Sequence, residues 1–398
     1  MIKNYRQEFN ANFNEERYVQ FLESLEAGYP SIPFRVAETP IFIPKELKEK
    51  LIFAGEEIIS KIKQSDFKTI TQNSIPKEWN VKNETDHPHF LTFDYGLCKN
   101  EKGEIEPMLI EMQGFPSLYG FQSHLAKTYL DCYKLKHDLT PYFNGLDEES
   151  YFQLLKKVIV GNHQPPEVAL MDIDAPNQKT AIDFYVTANR LGIKILSLSD
   201  ILKEGKELFY IENDKKVKLK RIYNRLIFDE IGNQTELFKT NFDPREELDI
   251  EWITHPNWFY RISKFTMPFL NSKFVPKTIF LNTITDIPKD LENYVLKPLF
   301  SFAGMGVIID VSESDIESVK DRENWILQRK VVYEPLINSP SGGVKAEIRM
   351  MYLWPEGEDP VLCINLGRLS RGKMIGVRYN KDFDWVGGTV GLMDPNSF

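Results

Sequence analysis

Residues 295 to 310 read Val-Leu-Lys-Pro-Leu-Phe-Ser-Phe-Ala-Gly-Met-Gly-Val-Ile-Ile-Asp. An apolar strand ends in Lys297, a loop carries Gly304 and Gly306, and Val307 to Val311 resumes as a strand. Glycine lets backbone amides close onto an anion with no Cβ in the way, and a lysine at a strand end adds a point charge for phosphate oxygens. A nucleotide clamp is one reading. An ordinary glycine-containing hairpin is the other, and the segment alone does not separate them.

Outward from this stretch, Ser263-Lys264-Phe265 opens a short helix that runs into Phe274 to Phe280. Downstream, Trp325 to Glu334 reads as a strand leading to a linker, and Glu347 to Tyr352 with Val361 to Arg368 form a further strand pair. At the front of the chain, Glu46 to Lys63 puts Leu47, Leu51, Ile52, Ala54, Ile58, Ile59 and Ile62 at mostly three- or four-residue spacing, a helix entered through Pro44. The apolar runs His89 to Cys98 and Pro107 to Met112 flank the charged, Gly103-containing turn Lys99 to Glu104, the pattern of a hairpin. In the middle, Val168 to Met171, a helix over Lys179 to Leu191 ended by Gly192, and Ile193 to Leu196 make a βαβ unit and so predict a parallel sheet. A second hairpin is expected at Phe209 to Ile211 and Val217 to Lys220.

With 398 residues the chain is long enough for two or three domains, read as 1–145, 146–258 and 259–398. Against 58 acidic side chains stand 49 basic ones, a net charge of -9, so long-range attraction to nucleic acid or to an anionic membrane is not expected. Any phosphate site must be local. Cys98, Cys132 and Cys363 lie far apart without a CxxC pair, which excludes a disulfide scaffold or zinc ribbon on spacing and fits a reducing compartment. No window approaches the roughly eighteen apolar residues of a membrane span, and a cytoplasmic protein is expected. The GxxxxGK[ST], GxSxG and HExxH patterns are absent. Asp86-His87-Pro88-His89 offers two imidazoles without a third ligand nearby in sequence and reads as a turn, and Lys215 to Arg221 alternates like a solvated strand face.

The order Lys264, Pro276-Lys277-Thr278, Lys297-Pro298 with its glycine loop, Gln328 to Glu334 and an arginine-bearing strand resembles an ATP-grasp domain over about 259–398. Such a domain normally continues into a strand pair with an acid and then Glu-x-Asn. Here a similar segment stands at the front: Phe93-Asp94-Tyr95-Gly96, the turn, then Glu111-Met112-Gln113-Gly114-Phe115-Pro116, with Gln113 in place of Asn. The arrangement resembles the circularly permuted ATP-grasp family that includes glutathionylspermidine synthase, and it implies an α/β (α+β) ATP-grasp fold with a βαβ-containing domain preceding the nucleotide-binding region.

The resemblance implies ATP and magnesium as cofactors. Lys264 and Lys297 would meet the phosphates, Gly304 and Gly306 the closing loop, Gln328 and Val331 the adenine, and Glu334 the ribose. Asp94, Glu111 and Gln113 would hold magnesium through hard oxygen donors, Glu111 and Gln113 sharing one face of a strand. Arg349, with Arg368 or Arg371 in reserve, would stabilise the transferred phosphoryl group. The implied reaction joins a small-molecule or peptide carboxylate to an amine or thiol through an acyl phosphate. Thr92 stands where those synthases have an arginine two residues before the magnesium aspartate, and nothing corresponds to a fused amidase domain. Three classes of function remain open: the ligase, an ATP-binding protein without turnover, which Thr92 and Gln113 motivate, and a non-nucleotide interaction protein.

Overall fold

The computed structural model describes the chain except residues 137, 228–237, 239–241, 301–304, 373–374, 376–379 and 396–398. Helices α1 (Lys3–Asn12) and α2 (Glu15–Glu26) come first, α2 capped by the Asn14 side chain, which accepts from the Arg17 N–H at 2.8 Å. Strand β1 (Ile41–Ile43) leads to α3 (Lys45–Ile62). Of the stripe read in the sequence, Leu47, Leu51, Ala54, Ile58 and Ile62 are buried while Ile52 and Ile59 are half-buried, and extended Pro44 stands just outside the helix as its cap. After the short α4 (Phe67–Ile70) come β2 (Phe90–Lys99), β3 (Ile105–Gln113) and α5 (Tyr119–Cys132). The β2–β3 turn is closed by Asn100, whose Oδ1 accepts from the N–H of Lys102 and of Glu104, with Gly103 in the left-handed region at φ 77°.

The middle of the chain forms α6 (Glu148–Ile159), β4 (Val168–Asp172), α7 (Ala181–Leu191) and β5 (Lys194–Ser197). Gly192 ends α7 at φ 75°, a left-handed cap that a side chain would strain. Then follow β6 (Leu202–Glu204), β7 (Glu207–Glu212), β8 (Lys215–Leu219), β9 (Arg221–Asn224) and β10 (Glu251–Ile253). The order β10-β9-β4-β5 is a parallel sheet with α7 as the crossover, while β6-β7-β8 is a small antiparallel sheet. Lys216 and Lys218 on β8 pair with Glu204 and Glu207, as a solvated strand face does.

The last part holds β11 (Thr278–Phe280), β12 (Tyr294–Pro298), β13 (Trp325–Arg329), β14 (Ile337–Ser339), β15 (Gly342–Leu353), β16 (Val361–Ser370), β17 (Gly387–Thr389) and β18 (Gly391–Met393). Strands β11-β13-β12 form a small antiparallel sheet. Two expectations shrink here. The run Val307 to Val311 contributes only a bridge, Ile308 to Leu296, and the strand expected over Trp325 to Glu334 stops at Arg329.

The large sheet has the order β17-β16-β15-β2-β3, with β14 paired to β15. The front hairpin therefore joins the C-terminal strands through the β15–β2 ladder, and β1 pairs in parallel with β18. One face of this sheet packs Phe93 and Tyr352 under α3, where a Cβ on Gly55 would lie 2.0 Å from the Tyr352 hydroxyl. The other face is polar. Among the described residues no helix is long and apolar enough to cross a membrane.

Candidate functional site

Strand register assembles the polar face. Arg349 of β15 lies opposite Asp94 of β2, Asp94 opposite Glu111 of β3, and Glu347 of β15 opposite Arg368 of β16. Residues directly opposite on a sheet point to the same face, so five charged side chains from four strands converge. Asp94, 1 % exposed, is the centre. Its Oδ1 accepts from Arg349 Nε at 2.5 Å, and its Oδ2 accepts from Arg349 Nη2 at 2.7 Å and Arg368 Nη1 at 2.8 Å. Burial works against its charge, yet the two guanidinium groups hold its carboxyl well below the usual carboxylate range. Both oxygens are thus engaged by arginines.

Glu111 differs. Its side chain is 29 % exposed, it accepts from Gln113 Nε2 at 3.0 Å, and Arg349 Nη2 stands 3.8 Å away. Glu111 and Gln113 do share a face, and that bond uses the amide nitrogen of Gln113, not its oxygen. A bulge after Asp94 turns the carbonyl of Ile110 outward, and Lys297 Nζ at the end of β12 donates to it at 3.2 Å. Burial pushes the Lys297 ammonium down to about 8, against the pull of Glu111 and with the repulsion of Lys264. The free edge of β3 is tied to the segment that carries Lys264: Leu109 N–H donates to Phe274 O at 2.7 Å and Gly114 N–H to Ile262 O at 3.0 Å. Lys264 Nζ itself donates to Leu299 O at 3.3 Å. Both lysines are buried, and Lys297 feels the charges of Lys264 and of Glu111.

The remaining expected residues have different environments. Gln328 is buried, and its Nε2 donates to Thr278 Oγ1 at 3.2 Å. Val331 is half-buried. Glu334 accepts from Lys99 Nζ at 2.5 Å, so its carboxylate already has a partner. Gly306 has φ 71° and turns back onto Pro298, whereas Gly304 lies outside the described residues.

Two members of the site, Glu347 and its partner Tyr333, escaped the sequence reading. Glu347, 4 % exposed, accepts from Arg368 Nη1 through Oε1 and from the Tyr333 hydroxyl through Oε2 at 2.9 Å. Burial, and the nearby Asp94 and Glu111, raise its carboxyl against the opposing pull of Arg368. The alternation Glu347-Ile348-Arg349 within an otherwise apolar strand was the available signal. Among the described residues no group of three or more His, Cys, Asp or Glu side chains is disposed to hold a metal by itself. A hollow of about 460 Å³ beside α3, lined by Ile52, Ile59 and Tyr352, shares no residue with this cluster.

No family model matches the chain, and no curated protein matches it. Among solved structures it is similar to a glutathione synthetase-like effector from Globodera pallida, determined in its apo form, at a TM-score of 0.59 and 10 % identity, over 95 % of this chain and 96 % of that one. At that identity the likeness is one of fold: the chain has a mixed α/β fold with several sheets, of the glutathione synthetase-like kind.

Proposed function

We propose that this protein is an ATP- and magnesium-dependent ligase of a circularly permuted ATP-grasp type, joining a small-molecule or peptide carboxylate to an amine. The observation that carries the reading is that Lys297 stands within the electrostatic reach of both Lys264 and Glu111, since these residues come from segments far apart in sequence and bear the charges a metal–triphosphate needs. The glutathione synthetase-like fold supports it.

In this reading Lys264 and Lys297 meet phosphate oxygens, and residues 328 to 334 line the base and ribose. The donor chemistry fits magnesium: Glu111 and the amide oxygen of Gln113 are hard oxygen ligands, too few to hold the ion without phosphates. Bound there, the ion would neutralise charge on the phosphates. Asp94 holds Arg349 and Arg368 in place rather than binding metal itself. The two arginines sit two and three strands beyond Glu111, on β15 and β16, where they can neutralise charge on the transferred group and on the incoming carboxylate.

A carboxylate oxygen attacks the γ-phosphorus while the bond to ADP breaks, and ADP leaves with that electron pair. The amine nitrogen then attacks the acyl carbon, inorganic phosphate departs, and the amine proton is lost to solvent. The residues named here contribute position and compensating charge rather than covalent chemistry.

A second reading, nucleotide binding without turnover, is favoured by Thr92 in place of an arginine and by the closed pairing of Asp94 with both guanidinium groups. A screen of carboxylate and amine pairs that follows ADP formation, with mass detection of product, separates the two. Magnesium-dependent ATP binding without ADP release for any pair would remove the ligase and leave the second reading.

A further inference from the structure

The linker between β13 and β14 sends one side chain across the polar face. Tyr333 lies over Gly96 of β2, where a Cβ would come within 2.8 Å of ring atom Cε1 and 2.9 Å of Cζ. The bare glycine is what allows the ring to lie against the strand. The neighbours on the linker behave differently. Val332 is 77 % exposed, while Glu334 is pinned to β2 by its N–H on Leu97 O at 2.9 Å and by Lys99.

From the Tyr333 hydroxyl a continuous chain of hydrogen bonds runs to the middle of the sheet. Tyr333 Oη donates to Glu347 Oε2 at 2.9 Å, and Arg368 Nη1 donates to Glu347 Oε1 and, at 2.8 Å, to Asp94 Oδ2. Asp94 in turn receives Arg349. A phenol orients a carboxyl group without adding charge, whereas a lysine or arginine in the place of Tyr333 would compete with Arg368 for it. Packing alone does not require the hydroxyl, because a phenylalanine ring would cover Gly96 equally well.

We infer that Tyr333 is a positioning residue whose hydroxyl fixes Glu347, and through it Arg368, so that the linker proposed to hold the base also sets the geometry of the arginine at the phosphoryl group. The inference rests on the ligase reading. It links the occupancy of one segment, residues 328 to 334, to the alignment of a guanidinium on β16 through a single O–H.

Tyr333→Phe keeps the ring and removes the hydroxyl. Wild type and variant are compared for Mg·ATP binding by calorimetry and for ADP release with the best substrate pair. The expected result is ATP affinity and KM for ATP within about twofold, with kcat lowered about ten- to a hundredfold, the range of a lost hydrogen bond to a charged group. Equal kcat overturns the inference. A raised KM at unchanged kcat does so too, because it makes Tyr333 a base contact. Should wild type bind Mg·ATP without turning over, amide exchange decides: protection of residues 347–349 and 366–368 on adding Mg·ATP, lost in Tyr333→Phe, supports the coupling, and equal protection in both proteins refutes it. Wild type that binds no Mg·ATP removes the ligase reading, and the inference falls with it before any variant is made.

Discussion

Exchanging Asp94 and Glu111 for their amides separates an anchor from a ligand, because each substitution deletes one negative charge and almost no volume. Asp94→Asn takes the charge from between two guanidinium groups that reach it at 2.5 to 2.8 Å. Arg349, 3 % exposed, would be left with Glu111 at 3.8 Å as its nearest acid. Breaking a buried pair by neutralising one partner costs about 3–5 kcal/mol, and since asparagine keeps one acceptor oxygen the lower end is expected, about 3 kcal/mol. Glu111→Gln removes a part-exposed charge with one amide hydrogen bond and a long ion pair, which is worth at most about 1 kcal/mol to the fold.

Urea unfolding at constant slope measures both. The pH dependence adds a signature. A carboxyl held low in the folded state contributes its stability in full above the unfolded value, about 3.9, and loses it as pH falls toward the folded one. The gap between wild type and Asp94→Asn should therefore stay level from pH 5 to 8 and narrow below about pH 4. In the companion variant stability should hold while the magnesium dependence of ATP binding weakens. An Asp94→Asn protein as stable as wild type, or a Glu111→Gln protein that loses as much, would refute the assignment of Asp94 to the arginines.

Mg·ATP affinity should fall as pH rises through about 8, where buried Lys297 loses its proton, by about tenfold between pH 7.5 and 9 if bound phosphates restore its usual value; a flat profile in wild type would mean that Lys297 does not face the nucleotide. Gly96→Ala should destabilise the protein by about 1–3 kcal/mol and displace Tyr333, because the added carbon meets the ring at 2.8 Å and Ile110 Cδ1 at 3.1 Å; an unchanged unfolding midpoint would show that the linker yields freely.

Where local chemistry decides structure, the sequence was legible. The stripe Leu47 to Ile62, the left-handed stop at Gly192 and the turn at Asn100 and Gly103 are each dictated within a few residues. The pairing of the front hairpin with β15 followed from the order of charged motifs, and the shared face of Glu111 and Gln113 from their two-residue spacing on a strand. What spacing could not supply is the partner of each charge. Asp94 and Glu111 look alike in a sequence, two acids in apolar strands, and only the β15 and β16 registers hand Asp94 to Arg349 and Arg368 while leaving Glu111 part-exposed. Glu347 was hidden for the same reason, since its partners come from a neighbouring strand and from the linker. The apolar run Val307 to Val311 misled because apolar residues do not by themselves find a second row of hydrogen bonds; only Ile308 reaches β12.

Calorimetric titration of Mg·ATP into wild type, Lys264→Ala and Lys297→Ala tests the central claim most directly, because both lysines come from outside the sheet that carries Glu111. The account requires saturable magnesium-dependent binding by wild type, weakened by about 1–3 kcal/mol in each variant with the fold intact. No binding by wild type, or affinity undiminished in both variants, would contradict it.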